Sequence, residues 1–312
     1  MESGLAGAAG ILLEERILRL LKTVRRCSKQ GCCPDDVHKL RIATRRTDAV
    51  LRMFAVVMPR QRVRSMRQSL RQLRRAAGAV RNLDVLVERI ESLTRSDAAD
   101  AAESWVLFEL RNRSGAAREH LSTVLESIDP KHLKRRLGKL QSRIRWHGGG
   151  GEPTVASAAL LLVRPEIDRF LNSADRDLTD IARVHRLRLQ GKRLRYMFES
   201  VERIWGNAVP ADRLTSALRR MQEQLGDLND QATAIEILGS VRREAPDDSS
   251  RSGTDRLIDS HRRELNERHD AFLSWWSDGG RHDLAVEIER ALLALAQTGA
   301  LIPGHGSVRR PG

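Results

Sequence analysis

Val37-His38-Lys39-Leu40-Arg41-Ile42-Ala43-Thr44-Arg45-Arg46 and Val184-His185-Arg186-Leu187-Arg188-Leu189-Gln190-Gly191-Lys192-Arg193 share one pattern, V-H-basic-L-R-apolar-x-x-basic-R, almost half the chain apart. At about 100° per residue in a helix, His185, Arg188, Lys192 and Arg195 fall within an arc of roughly 80°, and His38, Arg41, Arg45 and Arg52 do the same. Leu187, Leu194, Phe198, Val201 and Trp205 fall opposite the second set, and Leu40, Ala43, Thr47, Leu51 and Phe54 opposite the first. Each stretch therefore predicts a helix with a basic stripe backed by an apolar core face.

A solvated surface face is the plain reading of such a stripe, and two details argue against it. Leu189 and Ile42 sit at the same angular place beside the stripes, where a freely solvated face is usually polar, so the stripes are expected to line a crevice. Like charges at i, i+3 and i+4 repel by a few tenths of a kcal/mol per pair, yet no Glu intervenes until Glu199, although Asp48 interrupts the first stripe. An anionic chain laid along the stripe relieves that repulsion, because guanidinium forks spaced near the 5.4 Å pitch match successive phosphoryl oxygens. A histidine beside a bound phosphate also gains a proton more readily.

The echo extends further. Ala77-Gly78-Ala79-Val80-Arg81-Asn82-Leu83-Asp84 is answered by Leu225-Gly226-Asp227-Leu228-Asn229-Asp230. Between the two copies runs His147-Gly148-Gly149-Gly150-Gly151-Glu152-Pro153, which neither helix nor strand tolerates in its interior. No strand and no GK[ST] pattern flanks it, so it reads as a linker and not a phosphate loop. The expected organisation is an all-α chain: residues 1–147 as one helical bundle, 148–153 as linker, 154–300 as a second bundle, and 301–312 as a flexible tail. Helical periodicity runs from Ile11 to Ala300, with breaks expected at Gly31 to Asp35, Pro59, Asp129-Pro130, Asn207 to Pro210 and Ala245 to Gly253. Two antiparallel four-helix bundles from an internal duplication, related by an approximate two-fold, is the fold this pattern implies.

Composition agrees. Of 312 residues 31% are charged and 4% aromatic, with a single Tyr and no long alternating β-branched runs, which favours helices. The formal net charge of +14 makes acidic partners the expectation. Arg greatly outnumbers Lys, which suits paired recognition of oxyanions, although genomic base composition produces the same bias. Cys27, Cys32 and Cys33 form an odd set without two CxxC pairs, so neither a disulfide framework nor a zinc site is indicated. The first residues lack a basic leader, and the longest apolar run, Val155 to Val163, is half what a bilayer requires. A cytoplasmic protein without a membrane partner is expected.

The quoted residues resemble the CHAD family, the conserved-histidine α-helical domain, over nearly the whole chain, from about Leu12 to Ala300. His185 to Arg188 with Lys192 to Tyr196 is similar to the family's second-half motif, and Leu225 to Asp230 looks like the turn that follows it. His38 to Arg46 resembles the first-half motif, and Arg81 to Leu86 its RDLDVL-like segment. The resemblance implies binding of inorganic polyphosphate and association with polyphosphate granules and other granule proteins, with no cofactor and no catalysis. It implies a basic groove between two pseudo-two-fold-related four-helix bundles, and by position it builds that groove from His38, Lys39, Arg41, Arg45, Arg46, Arg52, His185, Arg186, Arg188, Lys192, Arg193 and Arg195. The sequence departs from the family at Thr47 and Asp48, where Leu-Arg is usual, which sets the first stripe apart from the second. Gly191, inside a helix at a cost of about 1 kcal/mol relative to Ala, requires a close approach by a helix or a ligand. The fused triphosphatase domain of some members, marked by ExExK, has no counterpart in this sequence.

Three other readings stand beside this one. His269-Asp270 and His282-Asp283 raise a metal-dependent phosphohydrolase, but no further ligand set such as HExxH accompanies them. A nucleic-acid-binding module shares the phosphate term, yet the chain lacks aromatic stacking platforms and zinc-finger or RRM patterns. A scaffold docking other proteins on granules needs binding alone.

Overall fold

The structure, a computed structural model, describes residues 4–28, 32–94, 101–205 and 211–300, and every regular element among them is helical. In chain order these are α1 (Leu5–Cys27), α2 (Pro34–Met53), a 3-10 turn (Ala55–Val57), α3 (Arg60–Thr94), α4 (Ala101–Ile128), α5 (Pro130–Gln141), α6 (Val155–Ala174), α7 (Ile181–Trp205), α8 (Ala211–Arg243), α9 (Asp248–Trp275), a π turn (Trp276–Gly280) and α10 (Arg281–Ala300).

Local chemistry sets the helix starts. Pro34 opens α2, with Asp35 and Asp36 in its first turn, where the helix dipole favours negative charge. Asp129 accepts the Lys131 N–H at 3.0 Å ahead of Pro130 to start α5. Thr154 and Asp247 accept the N–H of Ser157 and Ser250 at 3.2 and 2.7 Å to start α6 and α9. Of the expected breaks, Pro59 and Asp129-Pro130 lie at helix junctions, whereas Asn207 to Pro210, Gly31 and the tail 301–312 lie outside the described residues. The expected break at Ala245 to Gly253 is shorter, because α9 already begins at Asp248 and Gly253 is buried inside it.

Leu225 to Asp230, expected as a turn, lies instead within the uninterrupted helix α8. Leu225 and Leu228 are buried there, and burial of two leucines outweighs the glycine penalty between them. Ala77 to Asp84 is likewise interior to α3.

The pairing of neighbours recurs. Helix α1 lies on α2 and α5, α2 on α3, and α3 on α4; in the second half α6 lies on α7 and α10, α7 on α8, and α8 on α9. Across the halves, α2 meets α7 and α4 meets α9. The apolar interior does not divide at the linker. One cluster includes Leu13, Leu40, Phe54 and Leu70 together with Phe170, Leu194, Phe198 and Phe272. A smaller one joins Leu86, Ile90 and Leu110 of α3 and α4 to Leu238 and Ile258 of α8 and α9. At 1.5 Å per residue α3 and α8 each run about 50 Å, long enough to serve both clusters.

The glycine-rich linker is irregular, and its end is fastened. Leu5 N–H donates to the Pro153 carbonyl at 3.1 Å, and Ala6 N–H donates to Glu152 Oε1 at 2.5 Å, so Glu152 satisfies the open first turn of α1.

Candidate anion-binding groove

The two stripes face each other where α2 meets α7. The expected core faces are buried as the periodicity demands: Leu40, Thr47, Leu51, Phe54, Leu187, Leu194 and Phe198 lie inside, while the side chains of Val201 and Trp205 lie outside the described part. Thr47 donates to the Ala43 carbonyl at 2.8 Å and fills core space.

Four cations concentrate at the seam. Arg41 and Arg45 come from α2, Arg188 and Lys192 from α7, and none of the four forms an ion pair with a described residue. Burial pushes the Arg41 guanidinium down to about 10, reinforced by Arg45, Arg81 and Arg188. Lys192 is pushed down to about 6, first by burial and then by Arg188, Arg45 and Arg41. Burial and Arg45 also hold Arg188 below its ordinary value. Asp230 of α8 is the carboxylate that opposes all three shifts. Arg188 Nε is buried and without a hydrogen-bond partner. The Nε atoms of Arg46 and Arg195 share that condition, so three guanidinium groups near the seam keep a buried donor open.

The histidines sit at the margins of this set. Burial, then Arg81 and Arg41, lowers the pKa of His38. Burial does the same at His185, where a hydrogen bond with Asn229 works in the opposite direction and Arg188 and Lys192 reinforce the lowering. His38 lines a cavity of about 840 Å³ with Arg81 and Arg118, whereas Arg45, Arg52, Lys192 and Arg193 line a separate cleft of about 780 Å³. Arg41 feels the charge of both Arg45 and Arg81.

The remaining predicted residues are already engaged or turned outward. Glu199 holds Arg46 at 3.0 Å and Arg195 at 3.2 Å, and Arg195 also lies 4.9 Å over the Tyr196 ring. Arg193 donates to Gln190 Oε1 at 3.1 Å. Lys39 is exposed and paired with Asp35, and Arg186 is exposed. Asp48, which breaks the first stripe, is a buried hub that accepts from Arg52 at 2.9 Å and Arg67 at 2.8 Å, with Arg74 at 3.9 Å. Arg67 and Arg74 thus turn toward the groove, while Arg71 and Arg75 stay exposed with Arg64 on the other side of α3.

The run Arg67, Arg71, Arg74 and Arg75 reads from sequence either as part of the groove or as a solvated face of the next helix, and the stripes alone do not point to Arg74 or Arg81. Their signal was the seven-residue spacing from Arg67 through Arg74 to Arg81, which keeps one face of α3 toward α2. Gly191 is explained by helix approach: a methyl there would overlap Met221 Cε of α8 and contact Phe170 of α6. His269 is buried and hydrogen-bonded to the Leu178 carbonyl at 2.8 Å, and no cluster of three or more His, Cys, Asp or Glu able to hold a metal occurs among the described residues.

The arrangement defines an all-helical protein with a partly buried basic seam. The CHAD domain family matches residues 12–239, and the chain belongs to that family. The structure of PptA from Streptomyces chartreusis is similar, with a TM-score of 0.67 and 18% identity over 88% of this chain and 100% of that one. The crystal structure of the CHAD domain from the plant Ricinus communis is similar too, with a TM-score of 0.61 and 17% identity over 97% of this chain and 93% of the other. No curated protein sequence matches the chain. Among the described residues no helix is long and apolar enough to cross a membrane.

Proposed function

We propose that the seam between α2 and α7 binds inorganic polyphosphate, and that the protein acts by binding, without catalysis, at polyphosphate granules in the cytoplasm. The observation that carries this reading is the half-buried set of Arg41, Arg45, Arg188 and Lys192, held together with no described carboxylate in ion-pair contact. Cations at such spacing repel, and a protein retains them where a ligand supplies the missing charge. A chain of phosphoryl groups does so repeatedly, and guanidinium forks grip its oxygens in pairs. Membership of the CHAD family supports polyphosphate as that chain.

Nucleic acid is the second reading, favoured by the shared phosphate chemistry and the +14 charge. The test is a titration of long-chain polyphosphate at near-physiological salt, beside single-stranded DNA, duplex DNA and RNA at equal phosphate concentration. Polyphosphate is expected to bind at least tenfold more tightly, about 1.4 kcal/mol. Equal binding of all four overturns the assignment and leaves a generic basic surface.

A further inference from the structure

The cleft of about 780 Å³ beside the seam is not purely basic. Its lining carries Arg45, Arg52, Arg67, Arg74, Arg169, Lys192 and Arg193, which outnumber its two carboxylates, Asp48 and Glu166. The same lining is apolar at Ala158, Leu161, Leu162 and Pro165 of α6 and at Val56 of the 3-10 turn. Leu161 is 77% exposed, the most exposed large apolar side chain among the described residues, and Val56 and Leu189 of the same lining are 50% and 37% exposed. Isolated exposed leucines are ordinary. Three exposed apolar side chains lining one concavity together with a set of basic groups is a different arrangement.

Inorganic polyphosphate has no use for the apolar lining. We infer that this cleft binds a single-chain amphiphile, a phosphate- or carboxylate-headed alkyl chain, with its head against Lys192 and Arg193 and its tail along Leu161, Leu162 and Val56. The size favours a small ligand, because clefts of 300 to 1,000 Å³ suit small molecules. A protein partner needs about 800 Å² of its surface buried for a stable contact. Charge favours an anionic head: Arg52 and Arg67 are bound by Asp48, whereas Lys192 and Arg45 beside them have no carboxylate in contact. Lys192 faces charge from α2 and from its own helix, with Arg45, Arg41 and Arg188 around it and Asp230 opposing from α8, so an anionic head relieves the same repulsion that polyphosphate would. The two ligands then compete for Lys192 while differing in their need for α6.

The test uses the full-length protein and monododecyl phosphate below its micelle concentration, followed by calorimetry. Hexyl phosphate, inorganic phosphate, dodecyl maltoside and anionic phospholipid vesicles serve as the other arms. Lengthening the tail from hexyl to dodecyl is expected to tighten binding at least a hundredfold. Leu161→Gln, at an exposed site that folding does not need, is expected to weaken dodecyl phosphate at least fivefold while changing polyphosphate affinity less than twofold. Excess polyphosphate is expected to displace the amphiphile. Affinity independent of tail length, or dodecyl maltoside binding equally well, overturns the proposal by removing the need for tail or head respectively. Binding to vesicles without binding to the monomer overturns it in favour of a membrane surface. A change from dimer to monomer in Leu161→Gln on ultracentrifugation, without loss of amphiphile binding, overturns it in favour of contact between copies. The tail-length and head-group comparisons need no polyphosphate, so the amphiphile reading can fail while the polyphosphate titration succeeds, and the reverse.

Discussion

Arg46 of α2 and Glu199 of α7 form an ion pair at 3.0 Å across 153 positions of sequence, and the same carboxylate receives Arg195 at 3.2 Å. Glu199 is the clasp of the two stripes and the acid that ends the basic run. Glu199→Gln is expected to destabilise the protein by about 1 to 2 kcal/mol, since a mostly buried charge-assisted pair is lost while Arg46 remains partly screened by water. The same change leaves two more uncompensated guanidinium groups by the seam. Thermal denaturation should therefore show a lower Tm while polyphosphate binding tightens. Unchanged affinity would mean that Arg46 and Arg195 lie beyond the ligand's reach.

Arg188→Ala and Arg41→Ala should behave in the opposite way. Neither residue has a carboxylate in ion-pair contact among the described residues, so removal relieves repulsion and the Tm should not fall. Polyphosphate affinity should fall, and the slope of log K against log salt should become shallower by about one for each charge removed. Circular dichroism is expected to show unchanged helicity. A loss of helicity would make these residues structural.

Lys192 sets a pH dependence. Its pKa of about 6 leaves the free amine largely neutral at pH 7, and a bound polyanion raises that value by supplying the opposite charge. Binding therefore takes up a proton, and affinity should rise by up to tenfold per unit as pH falls from about 8 toward 6. Lys192→Arg, permanently charged, should remove most of this slope. His38 and His185, also lowered in the free protein, account for what remains near the acid end. The stability of the free protein runs the other way. The unfolded amine holds its proton between about 6 and its ordinary value near 10.5 while the folded amine does not, so unfolding free energy should rise with pH across that window.

Asp48 adds a slope of the same sign at acid pH. Burial raises its pKa, but Arg52, Arg67 and Arg74 together outweigh that and hold it below the ordinary value. Its contribution to stability is complete above the unfolded value near 3.8 and disappears as pH falls through the folded value. Asp48→Asn should lower stability by about 3 kcal/mol at neutral pH, because arginines clustered on a buried carboxylate lose their counter-charge. The gap to the parent protein should close in acid. Arg52→Ala should reduce polyphosphate affinity less than Arg188→Ala does, since Asp48 already neutralises it.

Much of this was legible in residue spacing. The apolar face behind each stripe is buried as a 3.6-residue period requires, and the placement of Leu189 anticipated a crevice. Spacing also overstated the site. A helical wheel counts Lys39, Arg46 and Arg195 as free charge, yet Asp35 and Glu199 engage them, and Glu199 reaches Arg46 only because two distant helices meet. Asp48 looked like an interruption because its partners Arg67 and Arg74 belong to another helix. Leu225 to Asp230 looked like a turn because glycine and two aspartates are turn residues, while the buried leucines between them kept α8 straight. Gly191 became intelligible once Met221 and Phe170 were in place around it.

The apolar interior that ignores the glycine-rich linker has one more consequence. Because α3 and α8 each contribute to both the main cluster and the smaller one with α4 and α9, packing lost at one end of either helix is felt along a single element about 50 Å long. Leu238→Ala, in the smaller cluster, is expected to lower the stability of the whole helical array in one transition instead of loosening the second half alone.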